Sequence, residues 1–314
     1  MKDLDINFPL DKFEKLIIDI GWESLDDWIT FWNNKKNILS INQYWNNKVN
    51  DDWIWGLALP LLSQAYKFQN NFSHRKIIGI SALPGTGKTT LGKWLEAISL
   101  KLNFKIAVIS IDDFYLPSDE MKLVIENNPW NVSRGFPGSH SVKLMYEKLL
   151  NWKINGELNV PVFDKSLRNG LGDRSHWRLD NPDILIIEGW FLGIEPLSCD
   201  VNFQNINLEG LSNHEFSYRY KIQNNLKKYL EVWSLIDKIW HLKPLNFEYM
   251  NIWKTNQEKE MFLQKGKALQ DEKLSNFLRM LNVSIPKSSF DVINSYALLL
   301  IDQDRNLIEA GLNY

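Results

Sequence analysis

The sequence predicts an α/β fold in which a mostly parallel sheet is covered by helices on both faces. Short apolar runs of strand length recur along the chain, and helical stretches separate them. Continuous β-branched runs of this kind are typical of parallel strands, which are buried on both faces. The predicted strands are residues 76–81, 104–111, 183–189, 238–244 and 296–302.

Composition limits the partners and the compartment. The 314 residues are 44% hydrophobic and 24% charged, as in an ordinary globular protein. A net charge of −2 offers no basic excess for nucleic acid. We see neither a signal peptide nor an apolar stretch of the ~20 residues that a membrane helix needs. The single cysteine, Cys199, suits a reducing compartment. We therefore expect a cytoplasmic protein, or one of another reducing soluble compartment, with no nucleic-acid or membrane partner and an undetermined oligomeric state.

The first 74 residues predict a Trp-rich helical extension on a main domain of residues 75–314. Four apolar side chains fall on one helical face, namely Leu25, Trp28, Ile29 and Trp32. Residues 51–68 predict another apolar helix, which is interrupted or restarts at Pro60. Because no catalytic cluster occurs in this extension, we interpret it and the 14 tryptophans of the chain as packing elements.

The first chemical motif is "SALPGTGKTT", residues 81–90, which follows the first predicted strand. A phosphate-binding loop has Gly, four residues, and then Gly-Lys-Ser/Thr. Gly87, Lys88 and Thr89 match, whereas Ala82 replaces the first glycine at a cost of roughly 1 kcal/mol if its φ is positive. The alternative is a Gly-rich turn that binds nothing. Strand, loop and amphipathic helix together favour a P-loop NTPase whose nucleotide contacts are Ala82, Leu83, Pro84, Gly85, Thr86, Gly87, Lys88, Thr89 and Thr90.

Each residue type in this loop has a chemical reason. Gly85 and Gly87 allow backbone N–H groups to turn towards phosphate oxygens. Lys88 is expected to reach the β- and γ-phosphates of ATP, and the Thr89 hydroxyl is expected to bind Mg²⁺. The helix that starts at Lys88 points its positive end towards the anion.

Acidic residues follow two further predicted strands. Asp112 and Asp113 end the second strand, where open α/β sheets bind ligands. We expect one to cap a turn and the other, Asp112, to accept a proton from an acceptor hydroxyl. Glu188 ends the third strand and is expected to bind Mg²⁺. A capping role is the alternative for Glu188. Phosphate binding, a base and a metal ligand together are the requirements of phosphoryl transfer.

Residues 117–182 predict an insertion that binds the acceptor. The segment is rich in glycine, proline and charge, and insertions of this length are usually functional or disordered. Its cations suit a carboxylate or phosphate on the acceptor, and they are Arg134, His140, Lys165, Arg168 and Arg174. The alternative is a solvated loop whose cations pair with nearby Asp164, Asp173 and Asp180.

Residues 252–268 predict a helix and a possible lid. "IWKTNQEKEM" carries Lys254 and Lys259, and related architectures close a basic lid over the phosphates to exclude water. A plain solvated helical face is the alternative. The five histidines show no metal-ligand spacing.

Several of these motifs, in this order, resemble the D-glycerate 3-kinase family of the phosphoribulokinase/uridine kinase group. They are "SIDDFYL", "RGFPGSH", "FDKSLRNGLGDR", "IIEGW" and "IWKTNQE". The resemblance covers about residues 76–305. The phosphate loop is shared by many NTPases, whereas the "FDKS" segment together with "EGW" is much more specific.

The resemblance implies Mg²⁺- and ATP-dependent phosphorylation of D-glycerate at its 3-hydroxyl. It assigns the base to Asp112 and a lid contact to Lys254. It places acceptor contacts at Arg134, His140, Asp164, Lys165 and Arg174. The chain departs from the family pattern at Ser141, usually Asp, and at Lys254, usually Arg. These departures bear on the acceptor rather than on the fold.

The sequence therefore predicts an ATP-dependent small-molecule kinase with Lys88 and Asp112 as catalytic residues. D-Glycerate is the expected acceptor. One rival is the same chemistry on a nucleoside, pantothenate or a sugar phosphate. A rival of another class is a nucleotide-binding regulator without turnover, in which the Trp-rich extension is a partner surface.

Overall fold

The computed structural model describes residues 6–35, 51–70, 74–197, 210–266 and 268–313. Cys199, on which the expectation of a reducing compartment rests, lies outside these residues, as do parts of the predicted extension and residue 267 of the predicted lid.

The described residues alternate between strands and helices. The strands are β1 Ile77–Ala82, β2 Ile106–Ser110, β3 Leu158–Asp164, β4 Asp173–Asp180, β5 Ile184–Gly189, β6 Lys238–Pro244, β7 Ala297–Ile301 and β8 Leu307–Leu312. The helices are α1 Asp11–Ile20, α2 Leu25–Asn33, α3 Asp51–Trp53, α4 Leu59–Gln69, α5 Lys88–Lys101, α6 Ser118–Ile125, α7 Val142–Asn155, α8 Asn213–Trp233, α9 Tyr249–Lys265, α10 Asp271–Val283 and α11 Ser288–Asp291.

Within the described residues, six strands form one sheet in the order β2-β5-β1-β6-β7-β8. Neighbouring strands are parallel from β2 to β7, and β8 is antiparallel to β7. Every residue of β1 and β5 is buried, because helices and loops cover both faces. The predicted mostly parallel α/β sheet and its five strands are confirmed. The antiparallel strand β8 was not anticipated.

The insertion contains more regular structure than its sequence suggested. It includes helices α6 and α7, and strands β3 and β4 form a two-stranded antiparallel sheet. The face of the main sheet that this region covers has its own buried cluster, in which Trp152 of α7 packs with Leu158 and Val160 of β3. Glycines and prolines had masked the apolar spacing of these elements.

The described part of the N-terminal extension packs on the opposite face of the sheet. Its predicted apolar stripe is buried, and Trp28 and Trp32 both donate their indole N–H to the Ser63 hydroxyl, at 2.8 and 2.9 Å. These side chains belong to the same buried cluster as residues of β1, β6 and β7. Among the described residues, eleven of thirteen tryptophans are buried, which fits a packing role. The division into residues 1–74 and 75–314 remains a prediction.

Pro60 lies where the helical segment of residues 51–69 changes from π-helix to α-helix. Residues Ile54–Ala58 form a π-helical segment between α3 and α4, and Pro60 is the second residue of α4. Proline has no N–H to donate and is well accommodated in a first helical turn. The predicted interruption is thus a change from π-helix to α-helix rather than a break between two helices.

Candidate active site

A cavity of about 480 Å³ lies at the carboxyl ends of three neighbouring strands, β2, β5 and β1. Glu188 of β5 pairs in register with Ile80 of β1 and Ser110 of β2. The phosphate-binding loop follows β1, and Asp112 follows β2. The predicted site residues that line this cavity are Pro84, Gly85, Gly87, Lys88, Thr89, Thr90, Asp112, Lys165, Glu188 and Lys254.

The loop has the backbone conformation that its glycines predicted. Gly85 and Gly87 have φ of +82° and +97°, in the region that favours glycine. Ala82 ends β1 and is not among the residues with positive φ. Its methyl group therefore adds no left-handed strain. The missing first glycine is compatible with this loop.

Lys88 is folded back over the loop. Its Nζ donates to the carbonyl oxygens of Ala82 at 2.8 Å and Leu83 at 3.0 Å, and it lies 3.9 Å from Glu188 Oε2. Burial lowers the pKa of Lys88, and the carboxylates of Glu188 and Asp112 partly offset this effect. An ammonium held by neutral carbonyls can exchange them for phosphate oxygens without leaving the cavity.

Helix α9, which begins the predicted lid, lies directly on the phosphate loop. A Cβ atom at Gly85 would come 2.7 Å from Trp253 Cβ and 3.0 Å from Lys254 N. Lys254 Nζ bonds to Glu258 Oε1 at 2.5 Å and to Gln257 Oε1 at 3.1 Å. Burial lowers the pKa of Lys254, and Glu258 opposes that shift. Because Trp253 is buried, the start of α9 belongs to the core, and closure of a lid remains a prediction.

The two adjacent acids after β2 have separate roles. Asp113 accepts the backbone N–H groups of Ser110 at 3.0 Å and Phe163 at 3.4 Å, so it caps the 3₁₀ turn Ile111–Phe114. Asp112 takes no part in this cap; both acids line the cavity, and the carboxylate of Asp112 is paired there with Lys165. The sequence predicted one capping acid and one base; Asp113 is the capping acid, and the role of Asp112 as the base remains a prediction.

Asp112 lies between two cationic or potentially cationic side chains. Lys165 Nζ is 2.7 Å from Asp112 Oδ2, and His140 Nε2 is 3.9 Å from Oδ1. Burial opposes ionisation of this carboxyl group, but Lys165 and His140 outweigh it and hold the pKa of Asp112 well below its usual range. Asp112 in turn raises the pKa of Lys165. The pair is therefore ionised at neutral pH.

Glu188 and Thr89 supply oxygen atoms to the phosphate end of the cavity. Burial raises the pKa of Glu188, and the neighbouring Lys88 partly offsets the increase. Mg²⁺ is usually bound by one or two carboxylates together with substrate phosphates. Two protein oxygen ligands fit that requirement. Among the described residues, no cluster of three or more acidic, histidine or cysteine side chains forms a self-sufficient metal site.

Two other predicted acceptor residues, Arg134 and Asp164, hold loops beside the cavity. Arg134 Nη1 donates to the carbonyl oxygens of Gly170 at 3.0 Å and Leu171 at 2.7 Å. Asp164 Oδ1 accepts the Ser166 N–H and hydroxyl, at 2.8 and 2.7 Å. These contacts shape the turn that carries Lys165.

Arg174 occupies the position opposite Ser141, one of the two departures from the family pattern. Its Nη2 donates to Ser141 Oγ at 2.7 Å, and its Nε donates to the Tyr115 carbonyl at 3.2 Å. Burial lowers the pKa of Arg174, and Glu120 and Asp173 partly offset this effect. In this chain the Ser141 hydroxyl accepts the hydrogen bond from the Arg174 guanidinium.

His140 lies behind Asp112 rather than in the cavity wall. Its ring stacks on Tyr115, with centroids 4.5 Å apart, and Nδ1 is 2.8 Å from the Tyr229 hydroxyl. Burial lowers the pKa of His140, and Asp112 opposes that shift. The arrangement links His140 to the base rather than directly to the cavity.

Several cavity residues were not predicted from the sequence, among them Tyr115, Phe163, Gln257 and Phe277. Tyr115 lies in the "SIDDFYL" motif with Asp112, and Phe163 lies in the "FDKS" motif with Asp164. Their places in these motifs could have indicated that both residues lie near the site. Phe277 comes from α10, and a Cβ atom at Gly135 would lie 2.9 Å from its ring. No local pattern indicates that an α10 residue reaches the acceptor side.

No protein-family model matches the chain. An uncharacterized kinase of Schizosaccharomyces pombe is 31% identical over 214 residues, which cover 64% of this chain and 76% of the relative. A probable ATP-dependent kinase of Saccharomyces cerevisiae is 31% identical over 64% of this chain and 75% of its own length. A chloroplastic D-glycerate 3-kinase of Arabidopsis thaliana is 32% identical over 64% of this chain, but the match spans only 45% of that relative.

The chain belongs to the same kinase family as the Schizosaccharomyces pombe and Saccharomyces cerevisiae proteins. Its fold is also that of a D-glycerate 3-kinase from Cryptococcus neoformans, with a TM-score of 0.69, 22% identity and coverage of 82% of this chain and 99% of that one. Membership makes the protein an ATP-dependent kinase, a phosphotransferase with an alcohol group as acceptor. Among the described helices, none is both long and apolar enough to span a membrane.

Proposed function

We propose that the protein transfers the γ-phosphate of ATP to the 3-hydroxyl of D-glycerate. The main support is that the carboxylate of Asp112 faces the same cavity as the phosphate loop and is paired there with Lys165. A hydroxy acid needs a base for its hydroxyl and a cation for its carboxylate, and this pair supplies both. The names of the Arabidopsis and Cryptococcus proteins support the same acceptor.

In this proposal the phosphate loop binds ATP through its backbone N–H groups and through Lys88. Lys88 exchanges the carbonyl oxygens of Ala82 and Leu83 for β- and γ-phosphate oxygens. Lys254 approaches the same phosphates from α9 when it leaves Glu258. Because the Lys254 side chain is largely buried beside the loop, it also helps to exclude water from the transferring group.

Thr89 and Glu188 are the residues that we propose hold Mg²⁺. Both line the cavity and present oxygen ligands, which this ion prefers. When bound, the ion supplies positive charge that balances the phosphate groups. Glu188 and Lys88 already lie 3.9 Å apart, so the protein has placed one negative and one positive group at this point.

Asp112 orients the acceptor hydroxyl and accepts its proton. A depressed pKa makes Asp112 a weak base, which is sufficient when the proton leaves late in a loose phosphoryl-transfer transition state. Lys165 must move from Asp112 Oδ2 as the hydroxyl arrives, and the acceptor carboxylate is its new partner. Arg134, His140, Asp164 and Arg174 then act mainly by holding the surrounding loops and the base.

A panel of acceptors tests this proposal. ADP release and thermal shift are measured with D-glycerate, L-glycerate, uridine, pantothenate and a pentose phosphate, each with ATP and Mg²⁺. We expect turnover with D-glycerate and a product that carries phosphate on carbon 3, identified by phosphorus NMR. Lys165→Met is the companion variant, and we expect a higher KM for D-glycerate and an unchanged KM for ATP. Turnover of another acceptor without turnover of D-glycerate would overturn the proposal.

We further propose that the catalytic unit is residues 75–314, with residues 1–74 as a helical extension. We also propose a small-molecule acceptor, no nucleic-acid or membrane partner, and a cytoplasmic or other reducing location. The packing of α2 and α4 against the buried cluster of the sheet supports a stabilising role for the extension. Fractionation of cells that express the tagged full-length chain tests the location.

A further inference from the structure

One buried polar atom beside the base has no hydrogen-bond partner among the described residues. It is Nε2 of His140, which lies 3.9 Å from Asp112 Oδ1. The His140 side chain is fully buried, and its other ring nitrogen, Nδ1, lies 2.8 Å from Tyr229 Oη. Which nitrogen carries the proton decides what His140 offers to Asp112.

The hydrogen bonds of Tyr229 decide this question. Its oxygen already accepts the backbone N–H of Gly138 at 3.0 Å, and Tyr229 is completely buried. Burial raises the pKa of Tyr229 above its ordinary value, so the hydroxyl keeps its proton at neutral pH. A buried hydroxyl proton without an acceptor would be costly, and His140 Nδ1 is the acceptor within reach.

The tautomer of His140 follows from this bond. Because Nδ1 accepts the Tyr229 proton and burial favours the neutral ring, the single ring proton is on Nε2. Nε2–H then faces the Asp112 carboxylate, while Lys165 holds the other carboxylate oxygen. At 3.9 Å the His140–Asp112 contact is too long for a direct hydrogen bond, and a shift of about 1 Å would complete it.

We propose that Tyr229 is a positioning residue that fixes His140 as its Nε2–H tautomer, so that His140 holds the Asp112 carboxylate towards the acceptor hydroxyl. The inference rests on the proposed role of Asp112 as the base. It adds a residue from α8 to the machinery of the site. The surrounding rings keep the relay rigid, because Tyr115 stacks on His140 and Phe191 packs edge-on against Tyr229.

Nitrogen NMR of the full chain with ¹⁵N-labelled histidine tests the tautomer directly. The His140 resonances are assigned by comparison with His140→Gln. We expect a pyridine-like Nδ1 and a pyrrole-like Nε2 at neutral pH in the wild type. We expect that single tautomer to be lost in Tyr229→Phe. An Nδ1–H tautomer in the wild type, or an unchanged tautomer in the variant, overturns the proposal.

Kinetics test the consequence for the base. Tyr229→Phe should lower kcat with the acceptor by roughly 10- to 100-fold, by analogy with the loss of a partner that orients a metal-binding histidine. KM for ATP should be unchanged. Tyr218→Phe is the matched control, because Tyr218 lies on the same helix and its hydroxyl donates to the Val124 carbonyl at 3.3 Å. Equal losses of kcat in both variants would indicate a structural role and overturn the proposal.

The two tests separate this inference from the proposed function. If D-glycerate and every other acceptor fail to turn over, the proposed function fails. The NMR spectra then still decide whether Tyr229 sets the tautomer of His140, because they need neither ATP nor an acceptor.

Discussion

The two sides of the cavity are built in different ways. On the nucleotide side, the loop of residues 82–90 connects β1 to α5, and its polar groups are fixed by nearby backbone, as in the contacts of Lys88 with Ala82 and Leu83. On the acceptor side, residues distant in sequence meet through side chains, as Lys165 meets Asp112. The conformation of the phosphate loop is therefore a local property of the sequence, although α9 packs on it, whereas the acceptor side depends on the whole fold.

Asp112 lies where the two sides meet, and its removal should have the largest effect. We expect Asp112→Asn to lower kcat by about 10²- to 10⁴-fold, because the amide cannot accept the acceptor proton. ATP affinity, which belongs to the nucleotide side, should change little. Single-turnover kinetics and calorimetric titration with ATP measure the two quantities.

Asp113→Asn is the companion variant for Asp112→Asn. Asp113 caps the adjacent turn, and the amide oxygen of an asparagine can still accept its backbone N–H groups, so Asp113→Asn should cost less than about 1 kcal/mol of stability. Its effect on kcat should be much smaller than that of Asp112→Asn. Full turnover by Asp112→Asn would remove this residue from the mechanism and leave the cavity without its assigned base.

A pair of glycine substitutions tests the contrast between the two sides. Gly85 and Gly170 have φ of +82° and +89°, so alanine at either position incurs roughly 1 kcal/mol of left-handed strain. A Cβ atom at Gly85 would also collide with the backbone of α9, whereas at Gly170 no atom lies within 4 Å. We expect overpacking to add about 1–3 kcal/mol at Gly85 alone.

Urea unfolding and ATP titration of both variants measure this difference. Gly85→Ala should lose ATP affinity as well as stability, because α9 and the phosphate loop are forced apart. Gly170→Ala should bind ATP normally. Equal losses in the two variants would mean that contact between α9 and the loop is not what holds the nucleotide side together.

The nucleotide side could be predicted from the sequence more fully than the acceptor side. Strand, loop and helix are contiguous between residues 76 and 101, so apolar runs and motif spacing were enough to predict them. The convergence of Asp112 and Glu188 followed from the rule that parallel strands end at one edge of a sheet. Strand β8 was missed because it is an antiparallel edge strand that follows a short turn, outside the alternation of strand and helix.

The acceptor side could be predicted only in part, because its contacts are long-range. The motif residues Lys165 and Arg174 were found from charge and resemblance, but their partners Asp112 and Ser141 are 53 and 33 residues away. Tyr229 is 89 residues from His140, and nothing around it in the sequence marks it as a neighbour of the base. Packing of α8 and α10, rather than spacing, brings such residues to the site.

Substitution of Glu215 measures how much its contacts with α10 and the insertion stabilise the fold around the acceptor side. Glu215 accepts hydrogen bonds from Arg279 of α10 at 2.7 and 2.8 Å and from Trp130 of the insertion at 3.0 Å. We expect Glu215→Gln to cost about 1–3 kcal/mol of stability at neutral pH, because charged hydrogen bonds are lost from a buried group. Thermal unfolding measures the loss. Glu147→Gln, at an exposed ion pair with Lys143, should stay within about 0.5 kcal/mol.

The pH dependence of that loss gives a second measurement. Burial opposes ionisation of Glu215, but bonds from Arg279, the Ser212 N–H and Trp130 lower its pKa from 4.5 to about 2. Its contribution is therefore fully present above the ordinary glutamate pKa and is lost as the pH falls towards 2. The stability difference between Glu215→Gln and wild type should be constant from neutral pH down to about 5 and shrink below it. A difference that shrinks above pH 6 would contradict this assignment.

Ser141→Asp should have the smallest effect. It restores the aspartate that is usual at this position in the family pattern. The carboxylate would give Arg174 a charged partner in place of the serine hydroxyl and would lie at the start of α7, where negative charge is favourable. Because the pair is partly exposed, we expect a gain of less than about 1 kcal/mol and an increase in Tm of roughly 1–3 °C. The order of preference in the acceptor panel should be unchanged, because Arg174 contacts the Tyr115 carbonyl and Ser141 rather than lining the cavity. A changed order would instead show that residue 141 acts on the acceptor through Arg174, and the boundary of the acceptor side would then extend beyond the cavity wall.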